Sequence, residues 1–304
     1  MSLVFLFLDG VGLGEDNGQN PFALNDYPAF KAMTGGRSFT GDAGNHQRGS
    51  HYFTSLDACL GVDGLPQSGT GQVTLFTGIN SAKVLGRHFG PYPHSAIRSL
   101  LGEESIFKKI GSQNGRCHFI NAFPQRFIDY VTSTNRWSST TFMTASAGMK
   151  LNSVAEILEE KAITAELTQH AWRTRLSLEV PLISEEDAAG RVIRASKEHD
   201  LVLVEYYLTD KAGHSRDGKL AHSILTRIDR FLQHLIRLQA EHGYTLILTS
   251  DHGNLEDLST KTHTRNRVPL FVLGEGAHHF HGAESIQDIT PRCVEWHRSA
   301  LGKR

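Results

Sequence analysis

The sequence predicts an α/β protein built on a doubly wound, mostly parallel β-sheet with helices on both faces. Short, continuously apolar runs alternate with longer amphipathic stretches along the chain, which is typical of this fold class. Because the apolar runs are not interrupted by polar residues, we expect the strands to be covered on both faces. In such sheets ligands bind outside the carboxyl ends of the strands, so candidate functional residues are expected there.

Five apolar runs are predicted strands, and five amphipathic stretches are predicted helices. The strands are residues 3–8, 117–121, 201–205, 245–249 and 268–273. The helices are residues 73–75 onward, 105–112, 154–161, 185–199 and 219–242. The last helix has apolar residues at the i, i+3, i+4 and i+7 positions of one face, so we expect that face to lie on the sheet.

Two stretches interrupt this alternation and suggest the domain organisation. Residues 35–50 are rich in Gly, Asn and His and are predicted to form a long loop. Residues 123–180 contain polar Ser/Thr runs, one helix-like segment and no evident core strand. We therefore expect a discontinuous core, residues 1–122 and 181–304, with residues 123–180 as a small inserted cap.

Composition and charge restrict the class of partner. The 304 residues include 31 Lys and Arg against 32 Asp and Glu, a net charge of −1, which gives no overall field to hold nucleic acid or an anionic membrane. The first apolar run ends at Asp9, far short of the ~20 apolar residues of a membrane span. The three widely spaced Cys and the lack of a signal or lipidation pattern favour a cytoplasmic protein. The oligomeric state stays open.

Acidic and histidine side chains lie next to four of the predicted strands, at one edge of the sheet. The set consists of Asp9, Asp210, His214, Asp251, His252 and His263. Carboxylates and imidazoles together bind borderline divalent cations, and they suit manganese and zinc equally. The set is larger than one tetrahedral site requires, so the sequence predicts two divalent metal ions.

A segment of small residues, Q-S-G-T-G-Q-V-T-L-F-T-G, opens a predicted helix at residues 67–78. Backbone N–H groups and the helix dipole make such a helix start a binding site for anions. A hydroxyl group bound to a metal ion at this position becomes a nucleophile near neutral pH. Ser68 is the better candidate because it starts the turn, and Thr70 is the alternative.

The order of these motifs resembles the alkaline phosphatase superfamily, most closely the branch with cofactor-independent phosphoglycerate mutase and phosphopentomutase. The matching motifs are D-G after the first strand, a hydroxyl opening a helix, D-x-x-x-H, D-H-G-N, and T-H-T before V-P. The resemblance covers residues 1–78 and about 200–275. It implies that one ion is bound by Asp210, His214 and His263. It implies that the other ion is bound by Asp9, Ser68, Asp251 and His252.

The resemblance also implies phosphoryl transfer, with Ser68 as the nucleophile that forms a phosphoseryl intermediate. We expect a two-metal hydrolase, a phosphatase or phosphodiesterase, that acts on a small phosphorylated metabolite. The mutases have a substantial second domain, whereas the expected cap is much shorter. Their nucleophile segment usually reads S-E-V-G-H, whereas this chain has S-G-T-G-Q. The alternatives are a phosphomutase and a non-catalytic protein that binds metal or phosphate on the same fold.

The nucleophile helix and the run that follows it provide candidates for substrate contacts. Residues 86–94 form a rigid, basic and aromatic segment that contains Arg87, His88 and His94. We predict that these three residues and Thr70 line the substrate site. The alternative for the run is a turn packed on the core.

Several other polar residues receive structural interpretations. Glu256 is predicted to begin a helix rather than to bind a metal ion. Arg126 and Arg136 in the expected cap are predicted to be solvated. The histidines of residues 278–281 are predicted to form a surface loop rather than a third metal site.

Overall fold

The structure is a computed structural model that describes residues 2–302. A seven-stranded sheet in the order β2-β3-β7-β6-β1-β5-β4 forms its centre. The strands are β1 Leu3–Leu8, β2 His46–Arg48, β3 His51–Leu56, β4 Cys117–Phe119, β5 Leu201–Tyr206, β6 Thr245–Ser250 and β7 Val268–Leu273. Strands β4, β5, β1 and β6 are parallel neighbours, whereas β7, β3 and β2 pair antiparallel. The α/β class predicted from the sequence is confirmed.

Helices cover both faces of this sheet. Those at the N-terminal end are α1 Pro21–Leu24, α2 Pro28–Met33, α3 Ser68–Thr77, α4 Ser81–Leu85, α5 Ser95–Glu104 and α6 Ile106–Gly111. Those of the middle segment are α7 Gln125–Thr134, α8 Ser139–Ser146, α9 Val154–Leu158 and α10 His170–Leu176. Those at the C-terminal end are α11 Glu185–Glu198, α12 Leu208–Ser215, α13 Gly218–His242 and α14 Ile289–Leu301. Within residues 2–302, no helix combines the length and the apolar character needed to cross a bilayer.

Strand β1 shows how the sheet is buried on both sides. All six of its side chains are inaccessible to solvent, and they alternate between two apolar clusters because successive side chains of a strand point to opposite faces. One cluster contains Val192 of α11 and Phe231 of α13. The other contains Val73 of α3 and Trp296 of α14. Helix α3, which begins at the predicted nucleophile Ser68, is therefore packed directly on the sheet.

The long helix α13 corresponds to the predicted helix at residues 219–242, and its ends have identifiable causes. The Asp217 side chain accepts hydrogen bonds from the backbone N–H groups of Lys219 and Leu220, at 2.9 and 3.2 Å. Such capping satisfies N–H groups that lack a partner within the helix. The helix ends at Gly243, whose φ of +67° is readily adopted by glycine.

The predicted loop at residues 35–50 is wrong in its second half. Strand β2 lies there and forms a hairpin with β3, and β3 pairs with β7. Neither strand reads as a continuous apolar run, because this hairpin lies at the edge of the sheet and contains polar residues such as His46 and Gln47. The turn at Gly49, with φ of +58°, is a hairpin signal in the sequence.

Residues 123–180 contain four helices rather than the single predicted one. Three of them are too short or too polar to show a clear apolar period, and the hydroxyl-rich run before α8 is a helix start. There the Ser138 side chain accepts a hydrogen bond from the Thr141 N–H. Met143 of α8 lies in the apolar cluster beneath the sheet, whereas Ile157 and Trp172 belong to a separate small cluster. The division into core and cap stays a prediction.

Candidate metal centre

Loops at the carboxyl ends of β1, β5 and β6 bring the predicted acidic and histidine side chains together. Asp9 directly follows β1, and its carbonyl accepts a 2.6 Å hydrogen bond from the hydroxyl of Thr209 after β5. Gly10, with φ of +67°, must be glycine, because a Cβ atom there would lie 2.6 Å from Asp210 Oδ1. The two loops are thus in direct contact, and the six side chains form two adjacent groups.

The first group, named here the buried cluster, consists of Asp9, Asp251 and His252. His252 Nε2 lies 3.4 Å from Asp9 Oδ1 and 3.5 Å from Asp251 Oδ2. Both Asp251 and His252 have no solvent exposure. Asp9 Oδ1 and Asp251 Oδ2 are buried oxygen atoms without a hydrogen-bond partner. Buried carboxylate oxygens without a hydrogen-bond partner destabilise a fold, and a cation bound between these two oxygens would offset that effect.

The pKa values of the buried cluster reflect this lack of positive charge. Burial raises the pKa of Asp251 to about 7, with a further contribution from the Asp210 carboxylate. The pKa of Asp9 is raised well above its usual value by burial and then by Asp251 and Asp210. Burial and the neighbouring His263 lower the pKa of His252 to about 3. His252 is therefore a neutral imidazole at physiological pH.

The second group, named here the rim cluster, consists of Asp210, His214 and His263. Asp210 and His214 lie one turn apart on α12, and His214 Nε2 is 3.3 Å from Asp210 Oδ2. His263 Nε2 is 3.5 Å from Asp210 Oδ1 and 3.2 Å from His214 Nε2. The His214 side chain is 45% exposed, so this group is open to solvent whereas the buried cluster is not.

Backbone carbonyls fix the orientation of all three imidazoles. The Nδ1 atoms of His214, His252 and His263 face the carbonyls of Lys261, Gly253 and Pro66, at 2.9, 3.3 and 2.8 Å. A carbonyl can only accept, so each Nδ1 carries the proton and each Nε2 presents a lone pair. The Nε2 lone pairs of His214 and His263 then face each other and the Asp210 carboxylate. All of these atoms are acceptors, and none of them can donate a hydrogen bond to another. This arrangement fits a divalent cation bound by each group.

The two groups form one continuous centre, because the rings of His252 and His263 are stacked with centroids 3.8 Å apart. Ser68 is the first residue of α3, and its hydroxyl oxygen lies 2.9 Å from His252 Nε2. The residue before it, Gln67, provides no side-chain cap. The first turn of α3 therefore presents a hydroxyl and the positive end of the helix dipole beside the buried cluster.

The predicted substrate contacts lie in different surroundings. A cavity of about 460 Å³ beside Gln67 is lined by Arg87 and His88, among others, and the Arg87 guanidinium lies 5.7 Å above the Phe89 ring. His88 Nε2 faces the Cys59 carbonyl at 3.1 Å. Arg87 and His88 thus both have a contact within the fold, and their contact with substrate stays a prediction.

Thr70 and His94 have structural partners in the same region. The Thr70 hydroxyl accepts from the Phe89 N–H at 3.2 Å and donates to the Gln67 carbonyl at 3.2 Å. His94 Nδ1 accepts from the Ala96 N–H at 3.2 Å and caps α5. Both side chains therefore stabilise the loop beside the cavity, and their contact with substrate stays a prediction.

The remaining candidates lie outside the two clusters. Arg126 is exposed on α7, and Arg136 lies 3.4 Å from the Tyr130 hydroxyl. The histidines of residues 278–281 lie in and just after a short 3₁₀-helix at Glu275–Phe280. The described residues form only two groups that could hold a metal ion, and these histidines are in neither.

Four further polar residues at the centre are not found by sequence reasoning. Gln72 Nε2 donates to Asp9 Oδ2 at 3.3 Å, and Asn254 Nδ2 donates to Asp210 Oδ1 at 2.6 Å. Glu205 is the last residue but one of β5, and burial raises its pKa to about 7. Two signals in the sequence could have identified Asn254 and Gln72. Asn254 belongs to the D-H-G-N motif, and Gln72 lies one turn after Ser68.

The fourth residue, Glu256, corrects a prediction. It lies in a turn and not at a helix start, and its buried carboxylate accepts hydrogen bonds from Gly12 and Asn254. A buried acceptor of this kind cannot be distinguished in the sequence from an exposed acid at the first turn of a helix.

Comparisons with known proteins identify the family of the chain. The sequence model of the Metalloenzyme superfamily matches residues 1–300. The chain belongs to this superfamily. Its solved structural relatives include an alkaline phosphatase from the Antarctic bacterium TAB5, with a TM-score of 0.59, 12% identity and 98% of each chain covered. They also include a phosphoglycerate mutase from Leishmania mexicana, with a TM-score of 0.51, 12% identity, and 97% of this chain and 95% of that chain covered.

Curated relatives refine this assignment. The chain is similar to 2,3-bisphosphoglycerate-independent phosphoglycerate mutases of Cereibacter sphaeroides, 29% identical over 123 residues, and of Methylobacillus flagellatus, 30% identical over 107 residues. The matches cover 38% and 33% of this chain, and 24% and 21% of those relatives. The chain thus spans about a quarter of the length of the relatives it matches. Its fold is that of the alkaline phosphatase and phosphoglycerate mutase structures named above.

Proposed function

We propose that the chain is a two-metal phosphoryl-transfer enzyme in which the Ser68 hydroxyl takes a phosphoryl group from a small phosphorylated compound. The observation that carries this proposal is the position of Ser68. Its hydroxyl oxygen lies 2.9 Å from His252 Nε2, at a helix start and beside two groups of carboxylates and imidazoles. A nucleophile, an anion-binding helix start and ligands for cations thus meet at one point.

The residues of the centre divide the work between binding and chemistry. In the proposed mechanism Asp210, His214 and His263 hold one cation. The other cation is held by Asp9, Ser68, Asp251 and His252. Manganese and zinc both suit these ligands. When bound, the cations would lower the pKa of the Ser68 hydroxyl and offset the charge that develops on the phosphoryl oxygens.

The protein itself orients the nucleophile. In the cation-free protein the neutral His252 imidazole accepts a hydrogen bond from the Ser68 hydroxyl at Nε2, which holds the Ser68 oxygen beside the buried cluster. A bound cation would occupy the Nε2 lone pair instead, so this hydrogen bond positions Ser68 before the cation binds. The first turn of α3 stabilises the negative phosphoryl group through its N–H groups and dipole. Attack by Ser68 Oγ forms the bond to phosphorus and breaks the bond from phosphorus to the leaving oxygen, which gives a phosphoseryl intermediate. The Ser68 proton is lost to solvent, and the leaving oxygen takes a proton from solvent.

The substrate is expected to enter from the side of the rim cluster. The cavity of about 460 Å³ next to Gln67 is large enough for the organic part of a small phosphorylated metabolite. Arg87 at its wall is the side chain best placed to bind an anionic group there. This interpretation makes the cavity the site of the leaving group.

The final acceptor of the phosphoryl group distinguishes two candidate activities. Hydrolysis is supported by the solvent exposure of His214, whose side chain is 45% exposed, because water must reach the intermediate. Return of the phosphoryl group to the substrate, as in a phosphomutase, is supported by the curated relatives, which are phosphoglycerate mutases. Mutases must exclude water from the intermediate, which the expected cap at residues 123–180 would do poorly.

A product analysis tests the proposal and separates the two activities. The purified protein is loaded with manganese or zinc and incubated with a panel of phosphorylated metabolites and with bis-p-nitrophenyl phosphate. Phosphorus NMR then distinguishes inorganic phosphate, which hydrolysis releases, from a positional isomer of the substrate, which a mutase forms. Retained phosphoprotein that disappears in Ser68→Ala supports the covalent step. A protein that binds phosphate and metal but turns over no substrate would instead be a non-catalytic binding protein.

A further inference from the structure

The carboxylate of Glu256 is the common anchor of the loops that form the candidate metal centre. Glu256 is 1% exposed. Its Oε2 accepts from the backbone N–H groups of Gly12 and Asn254, at 2.8 Å each. Its Oε1 accepts from the Thr264 hydroxyl and from Asn266 Nδ2, the latter at 3.1 Å. All four partners are neutral donors, and both carboxylate oxygens of Glu256 accept from them.

Each of the four partners lies within three residues of a proposed metal ligand. Gly12 belongs to the turn that carries Asp9, and Asn254 follows His252 in the D-H-G-N loop. Thr264 directly follows His263. One carboxylate therefore connects segments that supply ligands to both the buried cluster and the rim cluster.

Asn254 extends this connection to the remaining ligand segment. Its backbone N–H is bound by Glu256, and its side chain donates to Asp210 Oδ1 at 2.6 Å. Asp210 belongs to the rim cluster and lies on α12. Glu256 thus acts on the fourth ligand segment through a single intermediate residue.

The backbone around Glu256 is shaped to its carboxylate. A Cβ atom at Gly12 would lie 2.4 Å from Glu256 Oε1, and one at Gly253 would lie 2.3 Å from the same oxygen. Both glycines therefore let the backbone approach the carboxylate more closely than any other residue could. The carboxylate is held from several sides, so it has little freedom to move relative to the three segments.

We propose that Glu256 is a positioning residue that couples the two cation sites, so that its loss weakens both sites together. This proposal rests on the two sites of the proposed function. Loss of a ligand weakens the site to which that ligand belongs, whereas loss of Glu256 releases segments of both. Groups that orient metal ligands typically contribute 10–100-fold to metal affinity. We therefore expect Glu256→Ala to weaken both sites by at least about tenfold.

Binding of Mn²⁺ alone, measured by calorimetry on the full chain, tests this coupling. The variants are Glu256→Ala, Glu256→Gln and His214→Ala, with Glu166→Ala as the matched control. Glu166 is also a buried carboxylate, 8% exposed, that accepts hydrogen bonds from Thr168 and Ala171, but it lies outside the centre. We expect Glu256→Ala to weaken both sites, His214→Ala to weaken one, and Glu166→Ala to weaken neither.

The Gln variant protects the test against simple misfolding. A glutamine oxygen can still accept from Gly12 and Asn254, and its amide can donate to the Thr264 hydroxyl, so this variant should fold. We expect it to bind two ions at intermediate affinity with an altered dimanganese EPR spectrum, because only the Thr264 and Asn266 side of the anchor is changed.

The outcomes separate the two proposals. A Glu256→Gln variant with the wild-type EPR spectrum and affinities, or a Glu256→Ala variant that weakens only one site, would overturn the role of Glu256 alone. Equal weakening by Glu166→Ala would overturn it as well, because the effect would then be general destabilisation. A wild-type protein that binds neither Mn²⁺ nor Zn²⁺ would overturn the proposed function and, with it, the coupling.

Discussion

The carboxylates of the buried cluster predict that Asp251→Asn stabilises the protein when no cation is bound. Burial and the Asp210 charge raise the pKa of Asp251 from 3.8 to about 7. Unfolding restores the lower pKa, so ionised Asp251 favours the unfolded chain as the pH rises above 3.8. The destabilisation grows up to about pH 7 and is then constant. The difference between the two pKa values corresponds to on the order of 4 kcal/mol at pH 8.

The asparagine variant removes this charge and keeps most of the local structure. Its amide oxygen can still accept the 3.3 Å hydrogen bond from the Gly10 N–H. We therefore expect Asp251→Asn to raise the free energy of unfolding by up to about 4 kcal/mol at pH 8 in the presence of a chelator. Near pH 4 the gain should fall below about 1 kcal/mol, because Asp251 is then protonated in the folded wild-type protein and close to the midpoint of its titration in the unfolded chain. The gain includes the relief of Asp9, whose pKa is raised by burial and then by the Asp251 charge.

Urea unfolding followed by tryptophan fluorescence, at pH 8 and pH 4 with a chelator, measures this difference. Asp257→Asn is the control, because that carboxylate lies in the same loop and accepts from the Ser259 N–H at 2.9 Å but is in neither cluster. The order should reverse in excess Mn²⁺, which stabilises the wild-type protein by binding only its folded state. A variant that is less stable than wild type at pH 8 with a chelator, or a gain that is equal at both pH values, would refute the reasoning.

Three other changes give measurable results. Ser68→Ala should lower turnover by several orders of magnitude, since the covalent step is lost, whereas Thr70→Ala should keep most activity; an active Ser68→Ala with an inactive Thr70→Ala would identify Thr70 as the nucleophile. Arg87→Ala should raise KM by about tenfold or more at similar kcat, because a hydrogen bond to a charged group contributes ~1.5–3 kcal/mol. Lys83→Ala is the control. An unchanged KM in Arg87→Ala would exclude Arg87 from the substrate site. Asp229→Ala should lower the free energy of unfolding by about 1–2 kcal/mol in urea titrations, because its carboxylate caps the N-terminus of α2; an unchanged midpoint would contradict this.

The sequence predicts the parts of the fold that depend on strong, local patterns. The apolar runs of β1, β5, β6 and β7 and the stripe of α13 identify buried strands and a long amphipathic helix. The hairpin β2–β3 is missed because neither strand is a continuous apolar run: β2 is the polar edge strand, and β3 carries Thr54 and Ser55 between apolar residues. The short helices of residues 123–180 are missed because fewer than three turns do not establish a period.

The candidate site is predictable where chemistry is carried by residue type and order. Asp9, Asp210 and Asp251 each follow a strand whose carboxyl end lies at the same edge, so the topology brings them together. Glu256 and Asn254 are different, because their importance lies in hydrogen bonds to distant segments. These hydrogen bonds depend on the complete fold, so the spacing of residues in the sequence does not predict them.

The connection from β6 to β7 has a consequence for the order of folding. These two strands are antiparallel neighbours, so the loop between them brings Asp251, His252 and His263 together over a short stretch of chain. Gly10, beside Asp9, meets Asp251 across 241 positions of sequence. Closing so long a loop is entropically costly and slow relative to forming a hairpin. The half of the centre in the β6–β7 connection can therefore assemble early. The complete centre exists only after β1 has docked on the sheet. A cation bound there would act as a cross-link that slows unfolding.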